Sequence, residues 1–448
     1  YATQEIMIIL AIAAGSAMQY VFPISIAITI LMAIVTISYE QTIHAYPGGG
    51  GAYIVARDNL GELPAQAAGA ALLTDYILTV AVSISSGVAQ IVSAFPDLFP
   101  YRVVIAVALV FFVMTINLRG VKESGILFAI PTYFFLLTMI LTIGVGLFRY
   151  FSGTLGAVIN PPQMHIEGAI GVVTPFLLLH AFSSGTSALT GIEAISNGIT
   201  AFKEPRSRNA GTTLIFMSVI LGTLFLSISF LSGRVGAVPS EFETIISQLA
   251  RTVFGNQGVA YLALIAGTAI ILIMAANTAF ADFPRLGALH AADGFLPRQM
   301  TFRGSRLVYS KGIIALAILA SLLIVLFQAN VTRLIPLYAI GVFLSFTLSQ
   351  AGMAKRWWKS GKLSKEEELV EPGSTIRHDK KWKLKMAINS FGALCTFVVM
   401  IVFAITKFKD GAWIIVILIP TLVTTFFAIH HHYSSLAEKL SLKNYRNS

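Results

Sequence analysis

Long apolar runs, closed off by glycine, proline or charge, divide this chain into about twelve segments of bilayer-crossing length. They lie near 1–17, 20–46, 63–94, 101–117, 122–148, 168–200, 210–231, 257–280, 310–328, 334–352, 386–406 and 411–430. The first is incomplete: the chain opens at Tyr1 and goes straight into the apolar run 6–14, so it reads as starting inside its first helix. The pattern predicts an all-α polytopic membrane protein.

One of these segments is interrupted. From His180 to Asn197 the chain reads His-Ala-Phe-Ser-Ser-Gly-Thr-Ser-Ala-Leu-Thr-Gly-Ile-Glu-Ala-Ile-Ser-Asn, which puts two glycines, six hydroxyl side chains and the carboxylate of Glu193 inside apolar material. An unpaired backbone group in hydrocarbon costs several kcal/mol, so such a break survives only where it lines a cavity or is covered by protein. The expected break is at 183–191. Broken helices near the bilayer midplane are where secondary transporters bind their substrates.

The basic residues give the orientation. Seven lie at one set of ends (Arg102, Arg149, Arg234, Arg251, Arg333, Lys407, Lys409), and the other 24 of 31 lie in 47–62, 118–122, 201–209, 281–311, 353–385 and 431–448. The richer side is cytoplasmic by the positive-inside rule. Two five-helix blocks follow, 1–148 and 168–352. Because five is odd, the second enters the membrane from the opposite side, an inverted repeat whose opening helices, 1 and 6, should both be broken. The sister break would fall at or just before Tyr1. Helices 11 and 12 (386–430) are additions outside the repeat, 353–385 is a basic cytoplasmic loop suited to topology anchoring and headgroup contact, and 431–448 is a short basic tail.

Composition removes the soluble alternatives. Of the 448 residues 56% are hydrophobic and 12% charged, half the charge of an average soluble domain, about 25%. The net charge of +10 is positive-inside bias, which removes a nucleic-acid partner and leaves the lipid bilayer. The single cysteine, Cys395, excludes an intrachain disulfide.

The candidate chemistry is made of oxygen. Asp75, Thr79 and Ser83 fall at i, i+4 and i+8 in the third segment, on one helix face, climbing about 12 Å. A hydroxyl alone would satisfy its own i−4 carbonyl, but a carboxylate on the same face is expensive to bury and marks function. Thr186, Thr190, Glu193 and Asn197 would share a face where the sixth segment is helical, with Ser183, Ser184 and Gly185 supplying unwound backbone and hydroxyl oxygens. Tyr1, Thr3 and Glu5 open the first helix where the sister break is expected, and Tyr338 follows Pro336 in the tenth. With no Arg or Lys at this depth, the inventory favours a monovalent cation whose hydration shell is replaced by oxygen dipoles. An amino acid, its carboxylate at a helix N-terminus, stays open as a substrate. The turn Pro47–Ala52 lacks the Lys-Ser/Thr of a phosphate loop and reads as a flexible cytoplasmic turn, part of a gate. His430–His432 lack further ligands for a metal. No nucleophile pairs with a base, so neither an enzyme nor a cofactor is expected.

Several stretches carry a resemblance: Tyr46–Tyr53, Leu73–Thr79, Leu189–Asn197, Lys203–Asn209, Phe280–Arg298 and Leu334–Gly341. They resemble the amino acid/polyamine/organocation superfamily and, within it, the KimA-type potassium importers related to the Kup family. The resemblance covers essentially all of the membrane part. It implies proton-coupled potassium uptake by alternating access, with transported K+ and H+ and no cofactor. It implies potassium ligands at Tyr1, Asp75, Thr79, Ser83, Thr190 and Tyr338, to which the shared face adds Thr186, and a proton carrier at Glu193. A desolvated carboxylate holds its proton more readily and a nearby cation opposes this, which is a physical route to coupling. Such importers carry an aspartate in a first half of helix 1 that this chain lacks. They also carry a cytoplasmic domain after helix 12 that makes a homodimer, and this chain stops at Ser448. The alternatives are an amino acid or polyamine permease of the same fold and a non-transporting membrane sensor.

Overall fold

The computed structural model describes residues 1–11, 13, 17–120, 125–162, 172–304 and 309–439. The helices are α1 (Ala2–Ala11), α2 (Val21–Ala45), α3 (Gly51–Asn59), α4 (Glu62–Ala94), α5 (Arg102–Leu118), α6 (Gly125–Phe151), α7 (Pro175–Gly185), α8 (Ile192–Asn197), α9 (Arg206–Val235) and α10 (Ile245–Phe254). They continue with α11 (Val259–Ala292), α12 (Ser310–Leu326), α13 (Val331–Lys362), α14 (Trp382–Thr406) and α15 (Trp413–Lys439). A two-stranded antiparallel hairpin, β1 (Glu368–Glu371) and β2 (Ser374–Arg377), separates α13 from α14.

Among the described residues nine helices are long and apolar enough to cross a membrane. The shorter α1, α12 and the broken α7–α8 pair account for the other predicted segments. The expected start of the sixth segment at 168–171, the residues 122–124 and the tail 440–448 lie outside the described residues. Burial sorts the helices: α4 and α13 bury 72% and 67% of their most apolar stretch, α5 only 17% and α15 22%. Phe112, Leu137 and Phe148 stand exposed on the outer helices. An apolar surface of that extent is stable only against lipid, and the protein is a multi-pass membrane protein.

Capping starts the helices where the chain turns. Thr174 accepts from the Leu177 N–H at 3.1 Å just before Pro175, and Asn330 accepts from the Arg333 N–H at 3.2 Å, each satisfying a donor the first turn leaves free. Inside the bundle α4 packs on α11 and α13, α2 on α9, and α1 on α7. At the last contact a Cβ on Gly185 would lie 2.5 Å from Ile6 and 2.6 Å from Ile28, so only glycine lets α7 come this close.

Three sequence expectations change. The region 353–385 is not a plain loop: α13 continues to Lys362, the hairpin follows, and α14 opens at Trp382. The hydrophobic count missed these elements because they are polar. Between the seventh and eighth predicted segments lies α10, a short helix with one buried face. The break in the sixth segment is later and shorter than 183–191. The chain stays α-helical to Gly185 and tightens to a 3₁₀ turn over Thr186–Leu189. It breaks at Thr190, whose backbone is extended, and Gly191, at φ +91°.

Overpacking of a close helix contact typically costs about 1–3 kcal/mol. Gly185→Val is therefore expected to lower the midpoint of thermal unfolding in detergent, and an unchanged midpoint would show that α7 does not lie on α1 as described.

Candidate functional site

Four hydroxyls converge on the break. The Tyr1 phenol lies 3.2 Å from Thr190 Oγ1, and Thr190 donates to the Ser187 carbonyl at 2.9 Å. With its proton so committed, Thr190 is the acceptor and Tyr1 the donor. Across the bundle Thr79 donates to the Tyr338 phenol at 3.2 Å. The result is two hydroxyl pairs, one joining α4 to α13 and the other joining the break to Tyr1 just ahead of α1. Gly341, one turn beyond Tyr338, makes the first possible: a Cβ there would lie 3.2 Å from the Ala71 carbonyl, so α13 runs directly against α4.

Asp75 sits one turn from Thr79 on the same face of α4. Its Oδ1 is buried and has no hydrogen-bond partner among the described residues. The charge acting on it is that of another carboxylate, Glu193, while Asp75 itself acts on both Tyr1 and Tyr338. A carboxylate so placed, without an arginine or lysine, is incomplete until a proton or a cation joins it. Ser83 is buried a further turn along α4, and it is Thr79 that reaches the Tyr338 phenol.

Thr186 stands apart from this group. It is fully buried and donates to the Ser183 carbonyl at 2.6 Å. Ser183, Ser187 and Thr190 likewise bond carbonyls three residues back, at 2.8, 2.9 and 2.9 Å. These local bonds accompany the tight turn, so Ser183, expected to offer a free oxygen, is taken up by the backbone, whereas the Ser184 hydroxyl is buried without a partner among the described residues. The shared face expected for Thr186, Thr190, Glu193 and Asn197 does not form either, because Gly191 separates Thr190 from α8.

Glu193 belongs to a second assembly on the far side of the break. Its Oε1 accepts from the Ala52 N–H at 3.2 Å and its Oε2 from the Ser345 hydroxyl at 2.5 Å. The first places a carboxylate at the N-terminus of α3, where the helix end carries partial positive charge. The glycine-rich turn delivers that N-terminus. Gly49, Gly50 and Gly51 all have positive φ, and a Cβ on Gly51 would lie 1.7 Å from Asn197 Oδ1. Asn197 in turn donates to the Tyr76 phenol at 2.6 Å. Instead of a loose turn, Pro47–Ala52 is a fitted closure over α8. On the other side of α3, Tyr53 donates to Asp293 at 2.7 Å, and Arg57 pairs with the same carboxylate at 3.1 Å. Burial, and then the bond to Asp293, push the Tyr53 phenol up from its ordinary value, so it stays a donor.

Sequence reasoning missed Ser345, Ala52 and the groups around Glu5. Glu5 is buried and accepts from Thr332 at 2.9 Å, and the nearly fully buried Lys407 acts on it electrostatically. Lys407 also faces Asp410 at 3.5 Å, and Asp410 faces His180 at 3.7 Å. In the sequence Lys407 reads as one more charge at a helix end, and Ser345 is one hydroxyl in an unpatterned apolar run. His430 stacks on Phe295 at 4.3 Å, and no cluster of three or more His, Cys, Asp or Glu suited to a metal occurs among the described residues.

A helical membrane protein with a central broken helix and buried carboxylates among hydroxyls has the makings of a transporter. The sequence model of the family described as amino acid permease matches residues 4–428, and the chain belongs to that family. It is similar to the potassium transporter KimA of Bacillus subtilis (strain 168), 45% identical over 444 residues, which are 99% of this chain and 69% of that protein. Among solved structures it is similar to the Eremococcus coleocola manganese transporter in complex with an aromatic bis-isothiourea substituted compound. There the identity is 11% and the TM-score 0.41, over 98% of this chain and 94% of that one. A mutant of the same transporter gives 13% and 0.40, over 98% and 95%.

A methyl group on Gly51 cannot share space with Asn197, and the positive φ penalises it further. In Gly51→Ala a cysteine introduced at Ser196 is expected to react faster with a membrane-impermeant thiol reagent applied to the side bearing α3. An unchanged rate would show that the turn does not cover α8.

Proposed function

We propose that this protein imports potassium ions coupled to protons, by alternating access around the broken helix. The observation that carries the reading is the partnerless carboxylate oxygen of Asp75 beside the hydroxyls of Tyr1, Thr79, Thr190 and Tyr338. A dehydrated monovalent cation needs oxygen dipoles and one compensating charge, and this group offers both. The 45% identity to a protein named potassium transporter supports the choice of ion. In this reading Ser83 and Thr186 contribute from the margin, Ser83 along the path and Thr186 by holding the tight turn that orients Thr190.

Glu193 is the proton carrier in this reading. Behind the formed closure Glu193 is held out of water, where a carboxyl keeps its proton. When α8 parts from α3 and α13 the closure opens to the cytoplasm, water reaches the carboxyl and the proton leaves on that side. Proton release is thus tied to opening of the closure. The membrane is the bacterial cell membrane, and the segments 47–62, 201–209, 281–311, 353–385 and the C-terminal end are cytoplasmic. Pairing of two copies through a cytoplasmic domain beyond Ser448 belongs to the same reading.

The rival is an amino acid or polyamine permease, favoured by the description of the matching family. Its zwitterionic or organic substrate would need a partner for a carboxylate or room for a carbon chain at Asp75, where another carboxylate acts instead.

Rubidium uptake into liposomes carrying the purified protein is expected to rise with an inward proton gradient and to resist added sodium. Asp75→Asn should reduce uptake by about tenfold or more, the scale of a lost charge-assisted contact. Accumulation of a labelled amino acid with no rubidium flux would establish the permease instead. Glu193→Gln should retain rubidium exchange but lose its response to the gradient, and gradient-driven uptake at the wild-type rate would remove Glu193 from the proton path.

A further inference from the structure

Ser345, Gly352, Arg356 and Lys359 recur at helical spacing along α13, and α3 lies over them in matching order. Ala52 and Ser345 meet at Glu193. A Cβ on Gly352 would lie 2.8 Å from the Val55 side chain and 3.1 Å from its carbonyl, so the two helices touch there backbone to side chain. At the lower end Lys359 Nζ donates to the Asp58 carbonyl at 3.2 Å and to Glu371 at 2.6 Å. The two donors of Glu193 come from different elements, and their separation is fixed only as well as α3 is held on α13.

The hairpin supplies that hold. The Gly373 N–H donates to Asp58 Oδ2 at 3.0 Å, and a Cβ on Gly373 would lie 2.6 Å from both that oxygen and Ile54. Arg356, 5% exposed, donates to the Ser374 hydroxyl at 2.5 Å and to the Thr375 carbonyl at 3.0 Å. Its guanidinium also lies 4.7 Å from the centre of the Tyr46 ring, at the foot of the glycine-rich turn. Glu371 faces both cations of α13, Lys359 at 2.6 Å and Arg356 at 3.9 Å. Ser360 donates to the Arg377 carbonyl at 2.6 Å and closes the other end of the hairpin. A charged pair as covered as Arg356 and Glu371 is costly unless its geometry is kept, which makes this assembly more than headgroup contact.

We infer that the hairpin 368–377 is a staple that fixes α3 on α13, and that Asp58, Arg356, Lys359 and Glu371 are positioning residues for Glu193. They act by presenting the Ala52 N–H and the Ser345 hydroxyl together. The role of Glu193 in transport rests on the reading above; the mechanical link does not.

A switchable staple tests it. In a Cys395→Ser background, Asp58→Cys/Gly373→Cys removes the native carboxylate contact and puts two thiols within reach of a disulfide. Amide hydrogen exchange at Ala52 and the gradient response of rubidium uptake are read on one sample, oxidised and then reduced. The oxidised form should protect Ala52 as the wild type does. On reduction exchange at Ala52 should rise about tenfold, as expected for loss of a charge-assisted contact, and the gradient response should weaken. Glu371→Ala should repeat the rise and Glu371→Asp should restore protection. Equal exchange at Ala52 in the oxidised and reduced forms, or a rise confined to 368–377, overturns the staple. A redox-dependent change at Ala52 in a protein that moves no rubidium would uphold the staple and discard the potassium reading.

Discussion

A buried carboxylate oxygen with no hydrogen-bond partner among the described residues is the constraint around which this bundle makes sense. Among the described residues Asp75 sits on the most buried of the nine spanning helices, in a region whose hydroxyls are themselves largely paired with one another. In a low-dielectric interior an ionised carboxylate needs a counter-charge, and the charge acting on this one, that of Glu193, is of the same sign. In the proposed reading a mobile cation relieves that cost while it is bound, so binding and release of the ion share one electrostatic origin. The four hydroxyls come from Tyr1 just ahead of α1, from α4, α13 and the break, so the proposed coordination can be complete only when those elements are together.

Glu193 applies the same logic at the closure. It joins a half-helix, α8, to the N-terminus of α3 and to α13 through two donors, and the glycine turn fits against Asn197 so closely that no side chain is admitted. Separation of α8 from that frame would strip both donors at once. The frame itself must stay rigid for the contact to be remade, which gives the polar hairpin on α13 a purpose that its distance from the bilayer centre would otherwise hide.

The sequence made most of the fold legible because hydrocarbon allows so few backbone solutions. The long apolar runs located the spanning helices, and the hydroxyl-rich interruption located the break. What it could not carry was pairing. That Thr79 would meet Tyr338, 259 residues away, follows from Gly341 and not from any local pattern. The i, i+4 spacing of Thr186 and Thr190 suggested a shared face, but the 3₁₀ turn over 186–189 rotated them apart and left Thr186 bonded to its own backbone, while Gly191 set α8 apart from both. Similarly the charges of 353–385 read as surface, since a polar hairpin and a solvated loop have the same composition until Arg356 is seen to be covered.

The central claim is that Asp75 and the hydroxyls about it hold the transported ion. A crystal of the protein grown in thallium, a heavy monovalent substitute for potassium, tests this most directly. The account predicts an anomalous peak among Asp75, Thr79, Thr190 and Tyr338 that disappears in Asp75→Asn. Thallium bound elsewhere, with those oxygens unchanged and the Asp75 carboxylate turned to a protein partner, would contradict it.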